Sequence, residues 1–262
     1  MRRILTLIDK EWLEAFKNRL VLMTVLGLPL IFTILPLVQL AATRSVTASQ
    51  ISNTPPGITA VCQLQGFSEA ECVQGFLANE FMLFFLLLPL AIPVTIASYS
   101  IVGEKATRTL EPLLATPTST AEIILGKGLA SAIPAMAATW LSFAIFLIGA
   151  RFFTVSDRVY GLIINPMWFV AMIFAAPLMC VLSVNVAIII SSRVSDPRAA
   201  EQLGMVLMIP ILVLFFAQIF GMITLNVTSM LLFALVLLVV DAVLVVVGVK
   251  LFQRETILTR WK

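Results

Sequence analysis

Long apolar runs separated by short polar ones set the pattern of this chain. Residues 20–42, 77–102, 129–149, 166–191, 204–225 and 229–251 are almost free of charged side chains. A helix rising 1.5 Å per residue needs roughly 20 apolar residues to cross a hydrocarbon core of about 30 Å, so each run predicts one transmembrane helix. Ahead of the first, Ile4, Leu5, Ile8, Trp12 and Phe16 recur at three- to four-residue spacing, with Arg2, Asp9, Lys10, Glu14 and Lys17 on other faces. That periodicity predicts an interfacial amphipathic helix within 1–19, its apolar stripe lying in the headgroup region. The longest polar stretch, an outer loop at 43–75, is too short to bury a core of its own. The expected fold class is therefore all-α and polytopic, one membrane domain over 1–262.

Within the spans, Pro89, Pro93, Pro134, Pro177 and Pro210 each remove a backbone hydrogen bond and permit a kink. The third span is rich in small side chains: Ala130, Ser131, Ala132, Ala135, Ala137, Ala138 and Ser142. Small residues let helices approach closely, which predicts a place for it inside the bundle.

Composition agrees with the membrane reading. The chain is 60% hydrophobic and 12% charged, against about 25% charged in soluble domains. Of its 17 basic residues, all but Arg44, Arg151 and Arg158 lie in the amino-terminal segment, the second and fourth gaps, and the tail. Basic residues are retained on the cytoplasmic side, so both termini are expected there, in a multi-pass plasma (inner) membrane protein. The first long apolar run begins only near Leu20, so the first span is expected to act as its own signal without cleavage. Cys62 and Cys72 share the outer loop, where they form either a disulfide or two free thiols; Cys180 lies in the fourth span. With no histidine and no clustered cysteines, no metal site is expected.

The polar gap at 103–127 carries the most local information. Leu110, Leu113 and Leu114 make a short apolar edge, while Glu104, Lys105, Arg108 and Glu111 are expected to stay wet. Thr116-Pro117 breaks the helix, and Ser119 with Glu122 has the spacing of a capping box for the next one. In the fourth gap, Asp196 can cap a helix whose first position is Pro197, with Arg198 and Glu201 left polar and Arg193 just before the turn. A phosphate-binding loop is not visible. Gly126-Lys127 is the nearest approach, but Ala121 and Gly128 stand where glycine and a hydroxyl are needed. Asp241 lies mid-span in the sixth helix, where an aspartate costs roughly 2.5–3.5 kcal/mol to insert. It is expected to face the bundle or another subunit, as a contact for a polar substrate, a proton site, or a structural hydrogen bond to Asn185, Gln218 or a second subunit.

The stretch from Gly103-Glu104-Lys105 through Thr109-Leu110-Glu111-Pro112-Leu113-Leu114-Ala115-Thr116-Pro117 to Gly126-Lys127 resembles the signature of type-2 permeases of ATP-binding-cassette transporters. Lys10-Glu11-Trp12 resembles that family's amino-terminal elbow, and Ser191-Ser192-Arg193 with Asp196-Pro197-Arg198 its second cytoplasmic loop. The resemblance implies a non-enzymatic permease subunit, most typically of an exporter. Its cytoplasmic coupling region, 103–127, with Glu104 to Ala115 as the docking element, would dock on separate ATPase subunits that bind ATP and Mg, leaving this chain without a cofactor. A second copy or a related permease would complete the pathway, in the lipid bilayer and without nucleic acid. The competing readings are an ion-coupled secondary transporter using Asp241, and an ATP-driven mechanical relay or lipid extractor.

Overall fold

The computed structural model describes residues 2–45, 68–106, 120–223 and 225–251. Among these there is no strand, and six helical segments are long and apolar enough to cross a membrane. Helix α1 (Arg2–Ala15) precedes α2 (Arg19–Ala42), the first span, which opens where the Asn18 side chain accepts from the Leu20 amide. Helices α3 (Glu69–Ala106) and α4 (Thr120–Phe153) are the second and third spans. The fourth is assembled from α5 (Asp157–Ile163), α6 (Pro166–Val170), a π-helical turn at Ala171–Ala175, and α7 (Ala176–Arg193). The fifth joins α8 (Pro197–Gly204) to α9 (Ile209–Ile219) through a 3-10 turn at Met205–Met208, and α10 (Val227–Leu251) is the sixth.

Three boundaries differ from expectation, each for a local reason. α3 starts at Glu69, inside the expected outer loop, because Ser68 and Glu71 form a reciprocal cap: the Ser68 amide donates to Glu71 Oε2 at 2.8 Å and the Glu71 amide to Ser68 Oγ at 3.4 Å. The fourth span gains α5, started by the Ser156 cap. The fifth begins at Pro197 and not near 204, since Asp196 caps it as the sequence predicts, accepting from the Arg198 amide at 3.1 Å. Cys62 lies outside the described residues; Cys72 is buried near the start of α3, and Cys180 is a buried free thiol.

α3 forms the axis of the bundle. Of its most apolar stretch 94% is buried, against 17–50% in the other spans. A helix that is apolar all round is stable only when surrounded, and Met82, Phe85, Leu86, Leu88, Leu90 and Ile92 are enclosed by α2, α4 and α7. The third span does not take the interior place its small residues predict. Ala130, Ser131, Ala135, Thr139 and Ser142 do face the bundle, but Leu129, Ile133, Leu141, Ile145 and Ile148 leave the opposite face of α4 exposed. The buried small side chains share one face, while Ala137 and the large apolar side chains lie on the face this chain leaves uncovered.

At the end of the bundle away from α1, a fully buried Gln74 ties three segments together. Its amide donates to the Leu40 carbonyl at 2.7 Å and the Phe153 carbonyl at 3.2 Å, and its oxygen accepts from the Val155 amide at 2.8 Å.

Candidate functional site

At the α1 end, the docking of α1 on α4 begins with a proline. Pro134 has no amide hydrogen, so the carbonyl four residues earlier, on Ala130, loses its helical partner. The Trp12 indole supplies the replacement, donating to the Ala130 carbonyl at 2.9 Å. One turn away, Gly126 lets Leu7 approach so closely that a Cβ at 126 would sit 2.4 Å from Leu7 Cδ2. α1 therefore packs against protein along one edge. Its buried face is turned from the stripe the sequence suggests: Ile8 and Glu11 are covered, whereas Leu5 and Phe16 are exposed.

Glu11 is covered because it belongs to an ion network between three helices. Lys127 of α4 lies 2.6 Å from Glu11 Oε1 and 2.8 Å from Glu104 Oε2 of α3. Lys10 of α1 lies 2.6 Å from Glu104 Oε1 and 3.7 Å from Glu14. The Ser100 hydroxyl donates to Glu11 and accepts from Lys127 at 2.9 Å. Glu11, Lys127 and Glu104 are 2%, 3% and 5% exposed. Removing such charges from water costs several kcal/mol per ion, offset only if each finds an opposite charge, which the alternation of carboxylates and ammoniums provides. Burial pulls the Lys10 ammonium down, but the Glu104, Glu11 and Glu14 carboxylates outweigh it and hold its pKa above the ordinary 10.5. Beside the network, a cleft lined by Glu14, Asn18, Tyr99 and Gly103 separates the end of α1 from α3.

This geometry corrects the expectation that Glu104 is wet. It is an interior contact, because the last turn of α3 is covered by α1 and the start of α4. Lys105 lies in that last turn of α3; Arg108, Thr109, Leu110, Glu111, Leu113 and Leu114 lie outside the described residues. Lys127, which the sequence offers as the end of the family signature and as a failed phosphate-loop lysine, is the hub. Glu11 and Ser100 were not singled out for charge at all. The sequence signal is slight: Lys127 is a lone charge just inside an apolar run, whereas Glu11 and Glu104 each stand beside a lysine.

The second polar turn reaches the same axial helix. Thr95 of α3 donates to Glu201 of α8 at 2.7 Å, and Gly204 is pressed against Val94 so tightly that a Cβ there would meet its side chain at 2.4 Å. Arg193, Asp196 and Arg198 remain exposed beside this joint, with Pro197 half-buried.

Deeper in the bundle, Asp241 is 4% exposed and neither carboxylate oxygen has a partner among the described residues. The expected hydrogen bond to Asn185 or Gln218 is not made: the Asn185 amide donates to the Val181 carbonyl at 2.9 Å, and the buried Gln218 oxygen is itself unpaired. Glu80 of α3 is likewise buried without a partner, an acidic residue inside an apolar span that the sequence reading passed over.

Residues 5–247 match the ABC-2 family transporter protein domain, a region that takes in α1, the ion network, both polar turns and most of α10. The chain belongs to this ABC-2 transporter family. No curated protein matches it. As an ABC-2 chain it is a multi-pass membrane permease subunit of an ABC transporter, a transport component belonging to a family that associates with cassette ATPases. Membership favours the ATP-driven readings over an ion-coupled one.

Proposed function

We propose that this chain is the membrane half of an ATP-driven exporter in the plasma (inner) membrane, with both termini and the α1 end of the bundle in the cytoplasm. The distribution of basic residues supports that orientation. A partner ATPase binds ATP and Mg and grips the segment around Arg108, Leu110, Glu111, Leu113 and Leu114. The exposed Arg193, Asp196 and Arg198 offer it a second contact. Two copies, or this chain with a related permease, enclose the pathway.

The observation that carries this reading is Lys127 bridging Glu11 and Glu104. It joins α1 to both helices bordering residues 107–119, so a push on that segment moves all three together. Gly103, Glu104 and Lys127 thus transmit force while the leucines dock. Reconstitution of the permease with its ATPase separates the two roles. Leu114→Asp is expected to release the ATPase, whereas Lys127→Met keeps it bound but loses the ATPase stimulation. Normal stimulation in both variants defeats the proposal.

A further inference from the structure

The unpaired Asp241 lies one helical turn from Val245, which lines a groove. An open apolar groove of ≈ 350 Å³ runs between α4, α7 and α10, lined by Leu129, Ala132, Val184, Asn185, Val245 and Gly248 among others. That size lies in the range of small-molecule sites. Glycines keep it open: a Cβ at Gly128 would meet Val184 at 3.3 Å, and one at Gly248 would meet Asn185 Oδ1 at 3.9 Å. α10 and α7 run in the same direction, and Asp241, Val245 and Gly248 follow one stripe of α10 at helical spacing. Asp241 is therefore one turn, about 6 Å, beyond Val245 toward the middle of the membrane.

Among the described residues no basic side chain pairs with it: α10 has none before Lys250 and α7 none before Arg193. A carboxyl in such surroundings carries its charge only where a positive group from outside the chain meets it. The Asn185 amide is spent on the Val181 carbonyl, and its oxygen lies two turns from Asp241, at the level of Gly248.

We infer that this groove binds a cationic amphiphile, whose apolar body lies between α4, α7 and α10 and whose positive group is met by Asp241. This deepens the transport reading by naming a substrate class. It is tested on the permease alone, so its failure is separable from failure of ATPase coupling.

The permease in neutral-lipid nanodiscs is titrated with tetraphenylphosphonium and with tetraphenylborate, ions of matched shape and opposite charge. Saturable binding of the phosphonium only is expected. Asp241→Asn, which preserves shape, should weaken it at least about tenfold, the scale of a lost ionic contact in an apolar site. Gly248→Val should do the same by filling the groove, with the carboxylate intact. Equal binding of the two ions, or phosphonium binding unchanged in both variants, overturns the site. So does efficient copy-to-copy cross-linking through Leu129→Cys, which would put a second chain in the groove.

Discussion

Lys127 touches two carboxylates, and its loss has a calculable consequence. Lys127→Met leaves Glu11 and Glu104 buried with one fewer positive charge, and breaking a buried pair from one side costs about 3–5 kcal/mol. Thermal unfolding in detergent should show a clear drop in Tm, and adding Glu11→Gln should recover part of it. An additive double variant would mean the two residues do not interact. pH offers an independent check through Lys10. Its pKa is raised on folding, so its contribution is fully present below the ordinary 10.5 and is lost as pH climbs through the higher folded value. Melting between pH 6 and 9 should therefore show no Lys10-dependent change, and a Lys10→Gln difference should shrink only in strong alkali. None of these partnerships was legible in the sequence. Lys127 and Glu11 are 116 positions apart and Lys10 and Glu104 are 94 apart, and local periodicity says nothing about which lone charges meet.

Helices were far easier to read than their contacts. All six spans, the amphipathic α1 and the Asp196 cap follow from apolar run length, spacing and capping chemistry. What the pattern hid was how α1 is held. Pro134 reads as a kink, yet its consequence is an orphaned Ala130 carbonyl that recruits Trp12 from a helix 118 positions earlier. Trp12→Phe keeps the ring and deletes the donor, leaving that carbonyl unsatisfied at a cost of about 1–3 kcal/mol. Amide exchange in α1 should accelerate accordingly. Pro134→Ala restores an in-helix donor for Ala130, so in that background Trp12→Phe should change exchange in α1 much less. Equal effects in both backgrounds would show that the indole acts by packing alone. The same limit explains the misplaced third span. Counting small residues along α4 gives a composition, whereas burial depends on which face they share, and the alternate stripe with Leu129, Ile133 and Leu141 is the face this chain leaves uncovered.

If α1 and the adjoining ends of α3 and α4 form one body, a covalent bond within that body should be silent. The geometry permits the experiment: a Cβ at Gly126 would lie 3.4 Å from Leu7 Cβ, close to the spacing of disulfide-linked residues. Leu7→Cys with Gly126→Cys should oxidise readily and pin α1 to α4. In the complex with its ATPase, the oxidised protein is expected to keep the same ATPase stimulation as the reduced one, because the joint it locks never opens. Three buried ions argue for that outcome, since separating α1 from α4 would part Glu11 from Lys127 and leave Lys127 with Glu104 alone of its two carboxylates at every cycle. Motion would then fall elsewhere, at the π-helical turn Ala171–Ala175 and the 3-10 turn Met205–Met208, where the fourth and fifth spans depart from regular helix. Stimulation that disappears on oxidation and returns with reductant would reverse this picture, making α1 a lever that lifts away from α4 and the ion network a latch that opens.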